Sequence, residues 1–227
     1  MGYQFEFGDV VAQWPLFLGG AWLTIQLSAL AIVFGLVIGT LTAIGRRSPR
    51  RWLARLCAIY VESVRNTPLL VQIFVVYFGF AGLGWRVPAF VAAVAALVIN
   101  LGAYTSEIVR AGMDAVDKGQ IEAAECLALT KAQIYWHVVL VPAFEKVYPA
   151  LASQFVLLML ASSITSQIGA EELTAVASRV QSETYRSFEA YLVVALLYLL
   201  LSYLARAGFW GLGLIVFKRR RKLGTLL

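Results

Sequence analysis

Five long apolar runs constrain this chain more than any other feature. They are Leu16–Ile44, Ile59–Phe80, Pro88–Met113, Pro149–Ile168 and Phe188–Phe217. A helix rising about 1.5 Å per residue needs about 20 residues to cross about 30 Å of hydrocarbon, and each run is near or above that length. At 60% hydrophobic residues over 227 positions, the chain exceeds the apolar content of soluble domains. Strand-sized segments of alternating polarity are absent, which argues against a membrane barrel. The fold class expected is an all-α polytopic membrane protein of five transmembrane helices, forming a single transmembrane domain over residues 1–227.

Orientation follows from Lys and Arg placement. Arg46, Arg47, Arg50, Arg51 and Arg55 follow the first run. Arg110, Lys118, Lys131 and Lys146 edge or occupy the long polar stretch, and Lys218 to Lys222 close the chain. Five spans put all of these on one side. The other side has Arg86, Arg179 and Arg186 beside Glu171, Glu172 and Glu183. The expectation is a periplasmic N-terminus and a cytoplasmic C-terminus. The N-terminus, with Glu6 and Asp9 and no early Lys or Arg, lacks the charged start of a secretory signal. The net charge of +6 reads as a topological signal. A basic stop held on anionic membrane lipid accounts for Lys218-Arg219-Arg220-Arg221-Lys222, and no nucleic-acid partner is expected. Cys57 and Cys126 fall on or near the cytoplasmic side, so no disulfide is expected.

Within the first run, Ala31, Gly35, Gly39 and Ala43 form a small-residue stripe at steps of four, suited to close helix packing in lipid. The second run opens with Glu62, Arg65, Asn66 and Thr67 before Pro68. Glu62 and Arg65, three apart, are placed to pair, and Pro68 removes one backbone bond. The segment is either a gate or helix bend, or simply a helix start. The polar stretch 110–146 is much longer than a connection needs. It reads as two helical pieces: Gly119 breaks the first, and Gln120-Ile121 leads into a second from Glu122 to about His137. Pro142 is expected to end that piece and Pro149 to open span four. An amphipathic loop of this length is a docking surface.

No Gly-x-x-x-x-Gly-Lys-[Ser/Thr] run cradles ATP phosphates here, His137 is the only histidine, and the serines lack a Gly-x-Ser-x-Gly turn. Neither a metal site nor a catalytic constellation is expected, and the chain reads as no enzyme. Polar residues within the spans are functional candidates by default. Asn100, Tyr104 and Glu107 recur along span three, and Ser162, Ser163, Thr165, Ser166 and Gln167 close span four. They line a hydrophilic path or serve as hydrogen-bonding glue between helices, and Glu107 has the alternative of pairing with Arg110 at the cytoplasmic end.

Three blocks carry a family resemblance. Tyr60-Val61-Glu62-Ser63-Val64-Arg65-Asn66-Thr67-Pro68-Leu69-Leu70-Val71-Gln72, Gly102-Ala103-Tyr104-Thr105-Ser106-Glu107-Ile108-Val109-Arg110 and Lys118-Gly119-Gln120-Ile121-Glu122-Ala123-Ala124 occur in that order. They resemble the transmembrane permease subunits of bacterial ABC importers for polar amino acids, the histidine/glutamine/glutamate permease type of the type I importers. The resemblance covers about Gly20 to Tyr203. It implies a bacterial inner-membrane protein whose "EAA" loop, with Gly119, Gln120, Glu122, Ala123, Ala124 and Ala128, is a coupling helix seated on an ATP-binding cassette ATPase dimer. ATP and Mg would be bound by that partner, with no cofactor in this chain. A second permease subunit and a periplasmic amino acid binding protein would complete the importer.

The chain departs from the family pattern in three places. The Gly expected four residues after the second Ala is Ala128, and a straighter coupling helix is the expectation. The Leu-Pro pair reads Leu140-Val141-Pro142. Where the family often has Lys-Asp-Thr-Ser-Leu, this chain has Leu160-Ala161-Ser162-Ser163-Ile164. The missing Lys and Asp suit the charges of an amino acid, so a heterodimer whose other permease supplies them is expected. The competing reading is an ion-coupled secondary carrier using Glu107, although no internal repeat is visible.

Overall fold

The computed structural model describes residues 5–217 and is helical throughout its regular structure. The basic run 218–222 lies outside the described residues. A short helix α1 (Gly8–Val11) precedes α2 (Trp14–Arg46), whose Pro15 sits in the first turn where its missing N–H is harmless. α3 (Arg51–Arg65) and α4 (Leu69–Gly82) follow, then α5 (Ala89–Asp114), the central helix of the bundle. α6 (Lys118–Cys126) is the connection on the side where α2 and α5 end. α9 (Leu173–Thr184) and α10 (Ser187–Val216) close the described chain.

The small-residue stripe does what its spacing predicts. Ala31, Gly35, Gly39 and Ala43 are buried, and α2 packs on α5 along its length. A Cβ added at Gly39 would lie 2.5 Å from Thr105 Cβ and 2.7 Å from the Gly102 carbonyl oxygen. Backbone contact this close is available only to glycine.

Four helices are individually long and apolar enough to cross a membrane, and a fifth span exists only as a broken pair. α3 and α4 meet at 111° across residues 66–68. The sequence placed a disruption at Pro68, and the break is far sharper than a proline kink. Asn66 and Thr67 fold back on the end of α3, with Asn66 Nδ2 donating to the Glu62 carbonyl at 2.8 Å and Thr67 Oγ1 to the Ser63 carbonyl at 2.9 Å. Pro68, extended at ψ 139°, then starts α4 afresh. The expected Glu62–Arg65 pair does not form, because Arg65 turns to Glu107 instead, 3.7 Å away.

The polar stretch also differs from expectation. Gly119 does not break a helix: it lies in the first turn of α6, where its N–H donates to the Asp117 cap at 2.7 Å. The helix ends at Cys126, well before His137. Ala128 takes the left-handed conformation (φ 56°) that a glycine would occupy, so the chain turns there rather than running straighter. Thr130 and Gln133 form a capping box that starts the next helix, α7 (Lys131–Gln133). Pro142 does not end it. A π-helical segment, Ile134–Leu140, absorbs the missing proline N–H and leads into α8 (Val141–Ala161), which carries Pro149 inside it. A 3-10 segment, Ser162–Ile168, completes a continuous helical run Lys131–Ile168. α9 lies between the fourth and fifth apolar runs, where the hydropathy pattern predicts no span. Its Leu173, Val176, Ala177 and Val180 are buried at helical spacing against Phe17, Ala190 and Val194.

Candidate functional site

Four polar groups sit on this frame, one at each end of the bundle, one at the broken span and one along the end of span four. At the end near α6, Glu107 accepts hydrogen bonds from Arg46 of α2 and from Arg110 one turn along its own helix. Arg65 approaches the same carboxylate, and its guanidinium stands 5.6 Å over the Tyr104 ring. Asp114 extends the cluster, 2.7 Å from Arg110 and 3.6 Å from Arg47. Glu107 therefore belongs to an ionic joint between α2, α3 and α5, and its alternative pairing with Arg110 is the one observed.

At the break, Gln72 holds both sides. Its Nε2 donates to the Val64 carbonyl at 2.7 Å, the Thr67 carbonyl at 3.0 Å and Thr67 Oγ1 at 2.9 Å. Its Oε1 accepts from Asn100 Nδ2 at 2.9 Å. Tyr60 adds a second tie, donating to the Ile99 carbonyl at 2.7 Å. Asn100 is thus an anchor for the bend, while Tyr104 and Glu107 share Arg65 as a partner. Gln72 was not singled out from sequence, although a carboxamide four residues after a span-breaking proline was a usable signal.

The polar run of span four forms the 3-10 segment. Ser162, Thr165 and Ser166 hydroxyls donate to the carbonyls three residues back, Met159, Ser162 and Ser163, at 2.7, 2.7 and 2.8 Å. Ser162 and Thr165 are fully buried. Ser163, half-buried, and Gln167, exposed, make no side-chain hydrogen bond among the described residues. Ser166 and Gln167 line a cavity of about 370 Å³ with Thr174, Ser178, Arg179, Ser182 and Tyr191. Six hydroxyl- or amide-bearing side chains and one guanidinium make that wall polar.

The far end is organised by Glu172, which sequence analysis used only as a topology marker. It is fully buried, caps α9 through the Thr174 and Ala175 amides at 2.9 and 3.0 Å, and accepts from Tyr198 of α10. Burial raises its carboxyl above the ordinary value, against the opposing pull of those hydrogen bonds.

In the connecting helix α6, Ala124 is buried against the bundle, while Gln120, Glu122, Ala123 and Glu125 are exposed. Glu122 forms no ion pair among the described residues. The helix carries its own cap and stop and leaves a row of side chains uncovered.

Residues 31–209 match the family described as binding-protein-dependent transport system inner membrane component. The chain is 38% identical over 192 residues, 82% of its length and 88% of the relative's, to a Rickettsia bellii permease assigned to glutamine transport. It is 32% identical over 207 residues, 89% of its length and 94% of the relative's, to the arginine transport system permease protein ArtQ of Bacillus subtilis. A crystal structure of an amino acid ABC transporter with histidines superposes with a TM-score of 0.84 at 37% identity, covering 96% of this chain and 100% of that one. These likenesses favour the importer over the ion-coupled carrier. The chain belongs to the binding-protein-dependent inner membrane components and is a multi-pass translocation subunit of an ATP-driven importer.

Proposed function

We propose that this chain forms half of the membrane domain of a polar amino acid importer in the bacterial inner membrane. The α6 helix is the coupling helix, docked on a cytoplasmic ATPase dimer that binds ATP and Mg. The N-terminus is periplasmic and the C-terminus cytoplasmic. A periplasmic binding protein delivers the substrate, and a second permease subunit stands opposite. The chain itself performs no covalent chemistry. Its relatives are named for glutamine and arginine transport, which supports an amino acid as cargo.

The observation that carries this reading is the self-capped, uncovered α6 between two spans. Asp117 fixes its start, Ala128 its end, and Ala124 its seat on the bundle. What remains faces outward with Glu122 at its centre. Ala123 permits close approach, and Glu122 offers an unengaged acceptor. On this reading Glu122→Lys leaves a folded, inserted protein that has lost ATP-driven uptake. Wild-type uptake together with wild-type stimulated ATPase activity in that variant would refute the assignment of α6.

Substrate contact rests on less from this chain. Ser163 and Gln167 are the side chains of span four left open to a ligand, and neither carries charge. A zwitterion stripped of water needs opposite charges, and these are assigned to the second permease subunit. Expressing this chain with the ATPase alone is expected to give little uptake, which the second permease restores. A homodimer active without it overturns the heterodimer.

A further inference from the structure

α3 differs from every other long helix in how its side chains are shared out. The sector holding Leu53, Cys57, Tyr60, Val61 and Val64 faces the bundle: Val61 is buried, Tyr60 is tied to Ile99, and Cys57 Sγ packs at Gly45. Next to it, Trp52, Leu56 and Ile59 lie 54–61% exposed at steps of four and three. Beside that row come Arg51, Arg55 and Glu62, also on one face. Neither Arg51 nor Arg55 has an ion-pair partner among the described residues. The start of the helix concentrates positive charge further. Arg50 and Arg51 stand where the unpaired amides and the positive end of the helix dipole lie, and the first turn has no acidic residue.

The 111° break sets how this helix meets the membrane. Because the break turns α3 through 111° from α4, an α4 inserted into the bilayer leaves α3 close to the membrane plane, at the level where Arg46, Glu107 and Arg110 gather. A helix in that position meets hydrocarbon on one side and phosphate on the other. Its exposed apolar row and adjoining arginine row match that boundary in order and spacing.

We infer that α3 is an in-plane helix that binds anionic phospholipid, with Arg51 and Arg55 on the lipid phosphates and Trp52, Leu56 and Ile59 in the acyl boundary. The consequence is mechanical as well as adhesive. α3 ends in Arg65, which reaches Glu107 and Tyr104, and runs directly into the bend held by Gln72. Anionic lipid that fixes α3 at the surface fixes one arm of that bend. The inference rests on the chain spanning a membrane, which its family membership establishes, and not on the identity of the substrate.

The test uses the assembled transporter in liposomes containing either a photo-crosslinkable phosphatidylglycerol or a phosphatidylcholine carrying the same reactive group. Crosslinked peptides are mapped by mass spectrometry. The phosphatidylglycerol probe is expected to label residues 52–59 in clear preference to the phosphatidylcholine probe. Arg51→Gln with Arg55→Gln should lower that preference roughly 25-fold, since each basic residue near an anionic surface contributes a factor of about five. In the unsubstituted protein, raising salt from about 0.05 M to about 0.5 M should erase most of the preference, a readout that needs no variant. Equal labelling by the two probes in the unsubstituted protein overturns headgroup recognition. Absence of labelling by either probe overturns the proposal in favour of the ATPase or the second permease covering this face.

Discussion

Removing Gln72 isolates the contact that holds the broken span. The amide makes one hydrogen bond to α5, at Asn100, and three to the carbonyls and hydroxyl that close the bend, at Val64 of α3 and at Thr67. Bonds between membrane helices average about 0.6 kcal/mol and reach about 1.7 kcal/mol. Gln72→Ala also strands the Asn100 amide, which is 8% exposed, and an unsatisfied buried polar group costs about 1–3 kcal/mol. The Val64 and Thr67 carbonyls sit at the exposed junction and recover water, so they add little. The expected loss is about 2 kcal/mol for Gln72→Ala and about 1 kcal/mol for Asn100→Ala. The double variant should fall short of their sum by about 1 kcal/mol, because the second substitution removes a group the first had already stranded. Unfolding of the purified protein by SDS titration in mixed micelles measures all three. Additivity within about 0.3 kcal/mol would show that Gln72 and Asn100 do not support one another, and the latch would have to be abandoned.

Gly39→Ala should destabilise by about 1–3 kcal/mol, since its Cβ meets the Gly102 carbonyl, whereas Gly208→Ala, with nothing within 4 Å, should be neutral in the same assay. Ala128→Gly should gain about 1 kcal/mol by relieving the left-handed backbone, and the β-branched Ala128→Val should lose stability. Glu172 provides a pH test. Its carboxyl is held above the ordinary value, so the folded state binds that proton more tightly than the unfolded one. Stability should fall as pH rises from the usual carboxylate range through the raised value. Glu172→Gln, which keeps an acceptor for the α9 amides, should flatten that slope in thermal unfolding; an unchanged slope assigns the titration elsewhere.

How legible these features were depended on the range of the interactions behind them. Apolar runs are local, so α2, α5 and α10 appear close to where the runs placed them. Position 68 was equally plain because proline acts on its own neighbours. The size of the break was not, since it follows from Tyr60 reaching Ile99 and Gln72 reaching Asn100, dozens of residues away. α9 was missed although Leu173, Val176, Ala177 and Val180 repeat with helical period, because its N-cap is a glutamate that the usual cap residues do not flag. Ala128 misled in the opposite way. Its helix propensity argues for continuation, and the capping box at Thr130, which commits the next residues to a separate helix, overrides it.

Span four shows why listing polar residues overstates a binding surface. Five candidates cluster within six positions, yet the 3-10 segment brings three of their hydroxyls over the carbonyl three residues back. Ser162, Thr165 and Ser166 take that local bond. Their polarity is spent on the segment's own backbone, which makes an apolar neighbourhood tolerable for Ser162 and Thr165. What reaches outward is Ser163 and Gln167, followed by the hydroxyl row of α9 with Arg179, itself 2.9 Å from Glu183. Each of these offers neutral bonds or an already paired charge. A carboxylate and an ammonium passing this wall lose more hydration than it returns, so on the proposed reading the balancing charges stand across the pathway. Introducing an acid on the open wall by Ser163→Asp, two residues from Ala161 where the family pattern has its Asp, tests this directly. The new carboxylate should lower the dependence of uptake on charged residues of the second permease, whereas a wall that merely excludes lipid would leave that dependence intact.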